Sequence, residues 1–213
     1  MITPRTTFDY QFKDGRFVTR KIQNIPSGYD SSLYKTERIM INARDGVEIP
    51  VSLVYKNGME RDGSSPMMLY GYGAYGSTIS PTFSTMRLSF LDRGFIYAIA
   101  HVRGGAMLGY QWYIDGKLEK RENTFNDFVD VGKALIKLGY SSKNNISISG
   151  RSAGGELMGA AVIQSPDLWR SVILGVPFVD VLNTMLDESL PLTPPEWEEW
   201  GNPIKSPEAF DLI

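Results

Sequence analysis

Four short runs, residues 67–70, 95–100, 146–149 and 171–176, are rich in apolar side chains and bounded by glycine or polar residues. The continuous apolarity of 95–100 predicts a strand buried on both faces, as in a parallel sheet. Between the runs the period changes. Over 124–138, Phe125, Phe128, Val129, Leu135 and Ile136 recur at helical spacing, with Thr124 and Asp127 reading as a capping box and Gly139 as the stop. Residues 153–164 are apolar on nearly every side, which predicts a buried helix. Strands alternating with helices mean an α/β fold with a mostly parallel sheet. Upstream, alternation of polar and apolar positions predicts two hairpins. One spans 8–25 around Asp14-Gly15; the other joins 38–43 to 47–55 across Asp45-Gly46. Residues 25–32, with Pro26 and Gly28, read as a linker, and 56–65 as a polar loop. An isolated hairpin is marginal in water, so the first one is expected to belong to a larger unit.

Composition narrows the field. With 42% apolar and 22% charged residues, the 213-residue chain has the balance of a globular protein, one domain or one plus a fragment. A net charge of −2 without a basic run argues against nucleic acid, because phosphate binding needs clustered Lys and Arg. The absence of cysteine removes disulfides, a thiolate nucleophile and cysteine-held metal. No motif calls for a cofactor or a metal. Met1 to Tyr10 has no apolar leader, and no apolar run is long enough to span a bilayer. The expectation is a cytoplasmic protein without a membrane partner. Only one imidazole, His101, is present.

The chemistry concentrates at Gly150-Arg151-Ser152-Ala153-Gly154, with Gly155 following. This is G-x-S-x-G between a predicted strand and a predicted helix, the arrangement of a nucleophile elbow. So sharp a turn projects the serine hydroxyl and leaves no room for side chains two residues away, hence Gly150 and Gly154. The helix N-terminus behind Ser152 favours developing negative charge. The pattern is short, and an ordinary strand-to-helix turn could share it; the flanking elements select the elbow. Tyr70-Gly71-Tyr72-Gly73-Ala74-Tyr75-Gly76 follows an earlier strand. In the hydrolase layout that loop supplies one oxyanion donor, and the amide after the nucleophile, here Ala153, supplies the other. A glycine-rich turn with tyrosines packed on the core is the competing reading of this loop.

These segments occur in one order with others: Ala43-Arg44-Asp45-Gly46-Val47, Leu91-Asp92-Arg93-Gly94-Phe95, His101-Val102-Arg103-Gly104-Gly105, Asn123-Thr124-Phe125-Asn126-Asp127, Val176-Pro177-Phe178-Val179-Asp180-Val181 and Glu198-Glu199-Trp200-Gly201-Asn202-Pro203. Taken together, the chain from Arg38 onward resembles the catalytic domain of the prolyl oligopeptidase family of serine peptidases. The resemblance implies an α/β-hydrolase domain over 33–213, with 1–32 as the end of a β-propeller and a linker. It implies that the Tyr72 hydroxyl joins the Ala153 amide in an oxyanion hole. It also implies that Glu196 and Glu198 match the acidic specificity pocket of the members that cleave short peptides after Lys or Arg. From the residues alone, Thr193-Pro194-Pro195-Glu196 reads instead as a helix start, with Thr193 as N-cap and Glu196 closing a capping box. Ser80 and Thr82 stand where resembled members carry acidic residues, so a basic preference at the next substrate position is not implied. Arg151 replaces a usual glycine, a position that tolerates side chains. Glu156 replaces an apolar residue and adds negative charge near the oxyanion.

In α/β-hydrolases the triad runs Ser, then Asp or Glu, then His along the chain. No histidine follows Ser152, and His101 precedes it, so His101 reads as a structural imidazole. The triad acid and base, the last strands of the sheet and the propeller are expected outside this chain, which by itself is expected to be inactive. The leading function is an oligopeptidase working through an acyl-enzyme. An esterase or lipase on the same fold, and a non-catalytic fragment, are the alternatives.

Overall fold

The structure is a computed structural model that describes residues 1–213. Its strands are β1 (Thr6–Gln11), β2 (Arg16–Ile22), β3 (Tyr34–Asn42), β4 (Glu48–Lys56), β5 (Met67–Tyr70), β6 (Ile96–Ala100), β7 (Ile146–Arg151) and β8 (Trp169–Gly175). Its helices are α1 (Thr85–Leu91), α2 (Tyr110–Ile114), α3 (Arg121–Lys137), α4 (Ala153–Gln164), α5 (Val181–Leu186), α6 (Thr193–Trp200) and α7 (Pro207–Leu212). The expected α/β fold is present. Both hairpins form, β1 with β2 and β3 with β4, and the apolar runs become β5 to β8.

The hairpin β1–β2 makes a sheet of its own. Phe8, Tyr10 and Phe17 cluster ring against ring on it, yet all three stay exposed, and Phe12 is 93% exposed. The other six strands form one sheet in the order β3-β4-β6-β5-β7-β8. β3, β4 and β6 pair antiparallel, whereas β6, β5, β7 and β8 run parallel. Interior strands carry the apolar residues: β4 is buried from Ile49 to Tyr55, and Leu69, Ala98 and Ile148 have no exposed surface. Phe128, Val131 and Leu135 of α3 and Leu157, Met158 and Ala161 of α4 complete this core. At the β8 edge Ile173 and Leu174 remain exposed.

The strand order places the site. From β5 the chain crosses to β6 on one side and then to β7 on the other. The carboxyl ends of β5 and β7 therefore flank a topological switch point, where open α/β sheets leave a crevice. Tyr72 follows β5 and Ser152 follows β7.

One local expectation is overturned. α3 begins at Arg121, ahead of Thr124, so Thr124 and Asp127 are not a capping box. Both are buried inside the helix. The Thr124 hydroxyl reaches the carbonyls of Arg103 at 2.9 Å and Gly116 at 3.0 Å. Asp127 accepts from the Arg103 amide at 3.0 Å and its Nε at 2.9 Å. Asp45, in the β3–β4 turn, holds the other side of the guanidinium at 2.7 Å. A buried carboxylate needs a partner more than a helix end needs a cap, because an unpaired buried charge costs several kcal/mol.

His101 is 5% exposed, and its Nε2 lies 2.8 Å from the Ser52 hydroxyl on β4. Its carbonyl accepts from the Trp112 indole at 3.0 Å. Burial, helped by the nearby Arg38, pushes the imidazole down from 6.5 to about 4. Between those values the unfolded chain binds a proton that the folded one refuses. Stability is therefore full above pH 6.5 and falls as pH drops toward about 4, by up to roughly 3 kcal/mol. His101→Gln is expected to flatten that part of the profile in urea melts across the window; an unchanged slope would refute the assignment.

Candidate active site

Ser152 is the single residue between β7 and α4, and its backbone sits at φ 56°, ψ −120°. A non-glycine residue held there stores about 1–3 kcal/mol, which the surroundings must offset. They do so on three sides. The Ser152 amide donates to the Gly175 carbonyl at 2.9 Å, and its carbonyl accepts from Gly155 at 2.8 Å and Phe178 at 3.1 Å. The glycines are a steric necessity. A Cβ on Gly150 would lie 2.0 Å from the Gly154 carbonyl oxygen, and one on Gly155 would lie 2.6 Å from Pro177 Cα. One on Gly154 would lie 2.8 Å from the Gly71 oxygen and 3.2 Å from Tyr72 Cα. The spacing read from the sequence thus corresponds to strand, helix and two loops meeting at van der Waals distance, with Ser152 exposed on top.

The same close approach brings Tyr72 against the elbow. The 70–76 loop leaves β5 with the Gly71 amide bonded to Ser149 of β7 at 3.2 Å. Tyr72 is half-buried, and burial pushes its phenol pKa up, reinforced by Tyr70, Glu199 and Glu196. Ala153 is fully buried and opens α4, so its amide has no helical carbonyl to bond. Tyr72, eighty residues before the Ser152-Ala153 pair in the chain, is thus packed against the elbow that carries them.

A cavity of about 410 Å³ opens beside Ser152, walled by Tyr75, Val176, Phe178, Met185 and Glu196. Glu196 comes from α6, where its Oε2 accepts from the Tyr75 hydroxyl at 2.7 Å and the Trp200 indole at 2.9 Å. Glu198 is exposed and does not line this cavity. It lines an adjoining hollow with Tyr75, Tyr113, Glu196 and Glu199. Both expected pocket residues line that hollow, but only Glu196 also reaches the cavity beside Ser152, because residues two apart on a regular helix diverge. The capping box expected at Thr193 is absent. Leu192 occupies the N-cap position, and the buried Thr193 hydroxyl donates to the Thr184 carbonyl at 2.8 Å.

Glu156 is not left as a bare charge. The Arg121 guanidinium pairs with its carboxylate, donates to the Gly73 carbonyl and stacks 4.8 Å from the Trp200 ring centre. The two side chains are 11% and 14% exposed. Burial pushes the Glu156 carboxyl up and Arg121 opposes it; stripping one partner from such a pair costs about 3–5 kcal/mol. Arg121 is a site residue that sequence reasoning missed, since nothing around it distinguishes it from a surface cation; Tyr75, Phe178 and Trp200 lie in segments that the sequence singles out, but their roles at the site are visible only in the structure. Arg151 is exposed beside Ser152 and does not cover it. No helix is long and apolar enough to cross a membrane.

Known proteins carry this arrangement. Residues 81–213 match the sequence model of the prolyl oligopeptidase family. Dipeptidyl aminopeptidase BI of Pseudoxanthomonas mexicana is 50% identical over 204 residues, covering 95% of this chain and 28% of that protein. Protease 2 of Moraxella lacunata is 40% identical over 210 residues, covering 99% of this chain and 30% of that protein. The structure of oligopeptidase B from Leishmania major superposes with a TM-score of 0.94 at 43% identity, over 100% of this chain and 29% of that one. The chain thus spans under a third of the length of these relatives, and within that span the elbow, the loop beside it and the sheet order are all accounted for by one conclusion: it belongs to the prolyl oligopeptidase family of serine peptidases.

Proposed function

We propose that this chain carries the nucleophile, the oxyanion donors and the basic-residue pocket of an oligopeptidase that cleaves short peptides after Lys or Arg. The observation that carries the reading is Ser152 at φ 56° on the elbow, exposed at the mouth of a cavity that also holds Glu196. In this reading Ser152 Oγ attacks the scissile carbonyl carbon, giving a tetrahedral oxyanion and then, on loss of the amine, an acyl-enzyme that water resolves. The Tyr72 hydroxyl and the Ala153 amide donate to the oxyanion, each contributing about 2.7–4 kcal/mol. Glu196 and Glu198 receive the cationic side chain. Residues 1–32 belong to the end of a β-propeller, consistent with a hairpin that has its own sheet and exposed aromatic faces. In this reading His101 is structural, buried and hydrogen-bonded to Ser52, and does not serve Ser152 as its base.

Tyr72→Phe in the full-length protein is expected to lower kcat by about 10²–10³-fold with little change in KM, because the hydroxyl acts on the transition state. A pure KM effect in steady-state kinetics would make Tyr72 a ground-state binding residue. The 213 residues alone are expected to give no ordinary peptidase turnover, since a serine without a base is a poor nucleophile at neutral pH. Monomeric protein of this sequence cleaving an arginyl peptide at enzymic rates would overturn that and reinstate His101. The esterase reading is tested by comparing arginyl peptides with acyl esters. A second peptidase reading, release of dipeptides from the N-terminus, is favoured by the 50% identity to dipeptidyl aminopeptidase BI. Peptides with free and acetylated N-termini separate it from internal cleavage.

A further inference from the structure

Glu199 of α6 is a deeply buried carboxylate, at 3% exposure. Its Oε1 accepts from the Tyr75 backbone amide at 2.8 Å, and its Oε2 accepts from the Tyr113 hydroxyl at 2.6 Å. Lys117 donates to that same hydroxyl at 3.0 Å. Tyr75 needs such an anchor. Its φ is 56°, in the left-handed region that a bulky side chain enters only when held there. Glu199 holds the backbone of Tyr75 while a second carboxylate of the same helix, Glu196, engages its side chain. The Tyr75 hydroxyl donates to Glu196 Oε2 at 2.7 Å and accepts from the Trp200 indole at 3.1 Å. The ring stands edge-on to Trp200 at 5.9 Å. With Oε2 of Glu196 committed to Tyr75 and Trp200, its Oε1 is left to meet a cation in the Ser152 cavity.

We infer that Glu199 is a positioning residue for substrate selectivity: by fixing Tyr75 in its left-handed conformation, it aims the Glu196 carboxylate at a basic substrate side chain. The inference rests on the proposed reading of Glu196 as a cation-binding group. Without Glu199, Tyr75 relaxes toward an ordinary backbone conformation, its hydroxyl leaves Glu196, and the carboxylate loses its fixed direction. The elbow is untouched, because Ser152 is held by Gly175, Gly155 and Phe178.

The test uses the full-length protein and two matched peptide amides, one with arginine and one with its uncharged isostere citrulline at the cleaved position. Labelling of Ser152 by a fluorophosphonate reports the elbow. Glu199→Ala is expected to lower the arginine-to-citrulline ratio of kcat/KM at least tenfold, with labelling within threefold of the parent. Glu199→Gln keeps a carbonyl acceptor for the Tyr75 amide and is expected to restore the ratio to within threefold. Tyr75→Phe removes the hydroxyl while leaving Glu199 in place, and is expected to lower the ratio as Glu199→Ala does; it decides the matter if Glu199→Ala does not fold. A ratio unchanged in Glu199→Ala, or a parallel fall on both substrates and in labelling, overturns the inference. A parent enzyme without preference for arginine overturns the cation-binding role of Glu196 and this inference with it. A parent preference that survives Glu199→Ala overturns this inference alone.

Discussion

Ser152→Ala removes hydrolysis from the full-length protein, with kcat on an arginyl peptide amide falling at least about 10⁴-fold. The change deletes one oxygen from an exposed residue. Alanine accepts the same left-handed backbone at much the same cost as serine, and the bonds that hold it run through main-chain atoms, not the hydroxyl. The fold is therefore unaffected, and the thermal midpoint is expected to move by no more than about 1 °C. Rate and melting measured on the same preparation separate the two effects. Turnover within tenfold of the parent would remove Ser152 as the nucleophile, and a collapsed melting curve would show that its side chain carries structure.

The double change Glu196→Gln with Glu198→Gln is expected to lower kcat/KM for arginyl substrates by about 10²-fold, the value of a charge-assisted hydrogen bond lost from a screened site. Peptides with an apolar residue at the same position are expected to lose less than threefold. The two single changes divide the effect unequally. Glu196 lines the cavity beside Ser152, whereas Glu198 lines only the adjoining hollow, so Glu196→Gln carries the larger share. Glutamine at 196 still accepts from Tyr75 and Trp200, which makes the substitution a test of charge and not of packing. Equal losses on basic and apolar substrates would reassign the pair to the scaffold of α6.

The reach of the sequence can be judged at particular residues. The chain pattern located β5 at Met67–Tyr70 and α4 at Ala153–Gln164 to the residue, because an apolar run between breakers carries its own period and its own ends. The elbow was equally legible. Its glycines mark positions where a Cβ would strike neighbouring backbone, and that crowding leaves a fixed spacing in the chain. The end of α3 at Gly139 follows from a φ of +76°, which glycine adopts without strain.

What only the tertiary structure decided are the partners of charged and capping residues. Thr124 and Asp127 looked like a cap because a cap is a local answer; Arg103 from the end of β6 made them buried anchors. Thr193 bonds Thr184 and leaves the start of α6 uncapped. Glu156 read as a lone charge until Arg121 from α3 met it. Glu196 and Glu198 share the hollow beside α6, and the helix turns only Glu196 into the Ser152 cavity. For Thr124, Asp127 and Glu156 the deciding group arrives from a distant part of the chain. Hydrophobic period and glycine sterics act between near neighbours and can be read directly, whereas the pairing of a buried charge depends on which distant segment the fold brings against it.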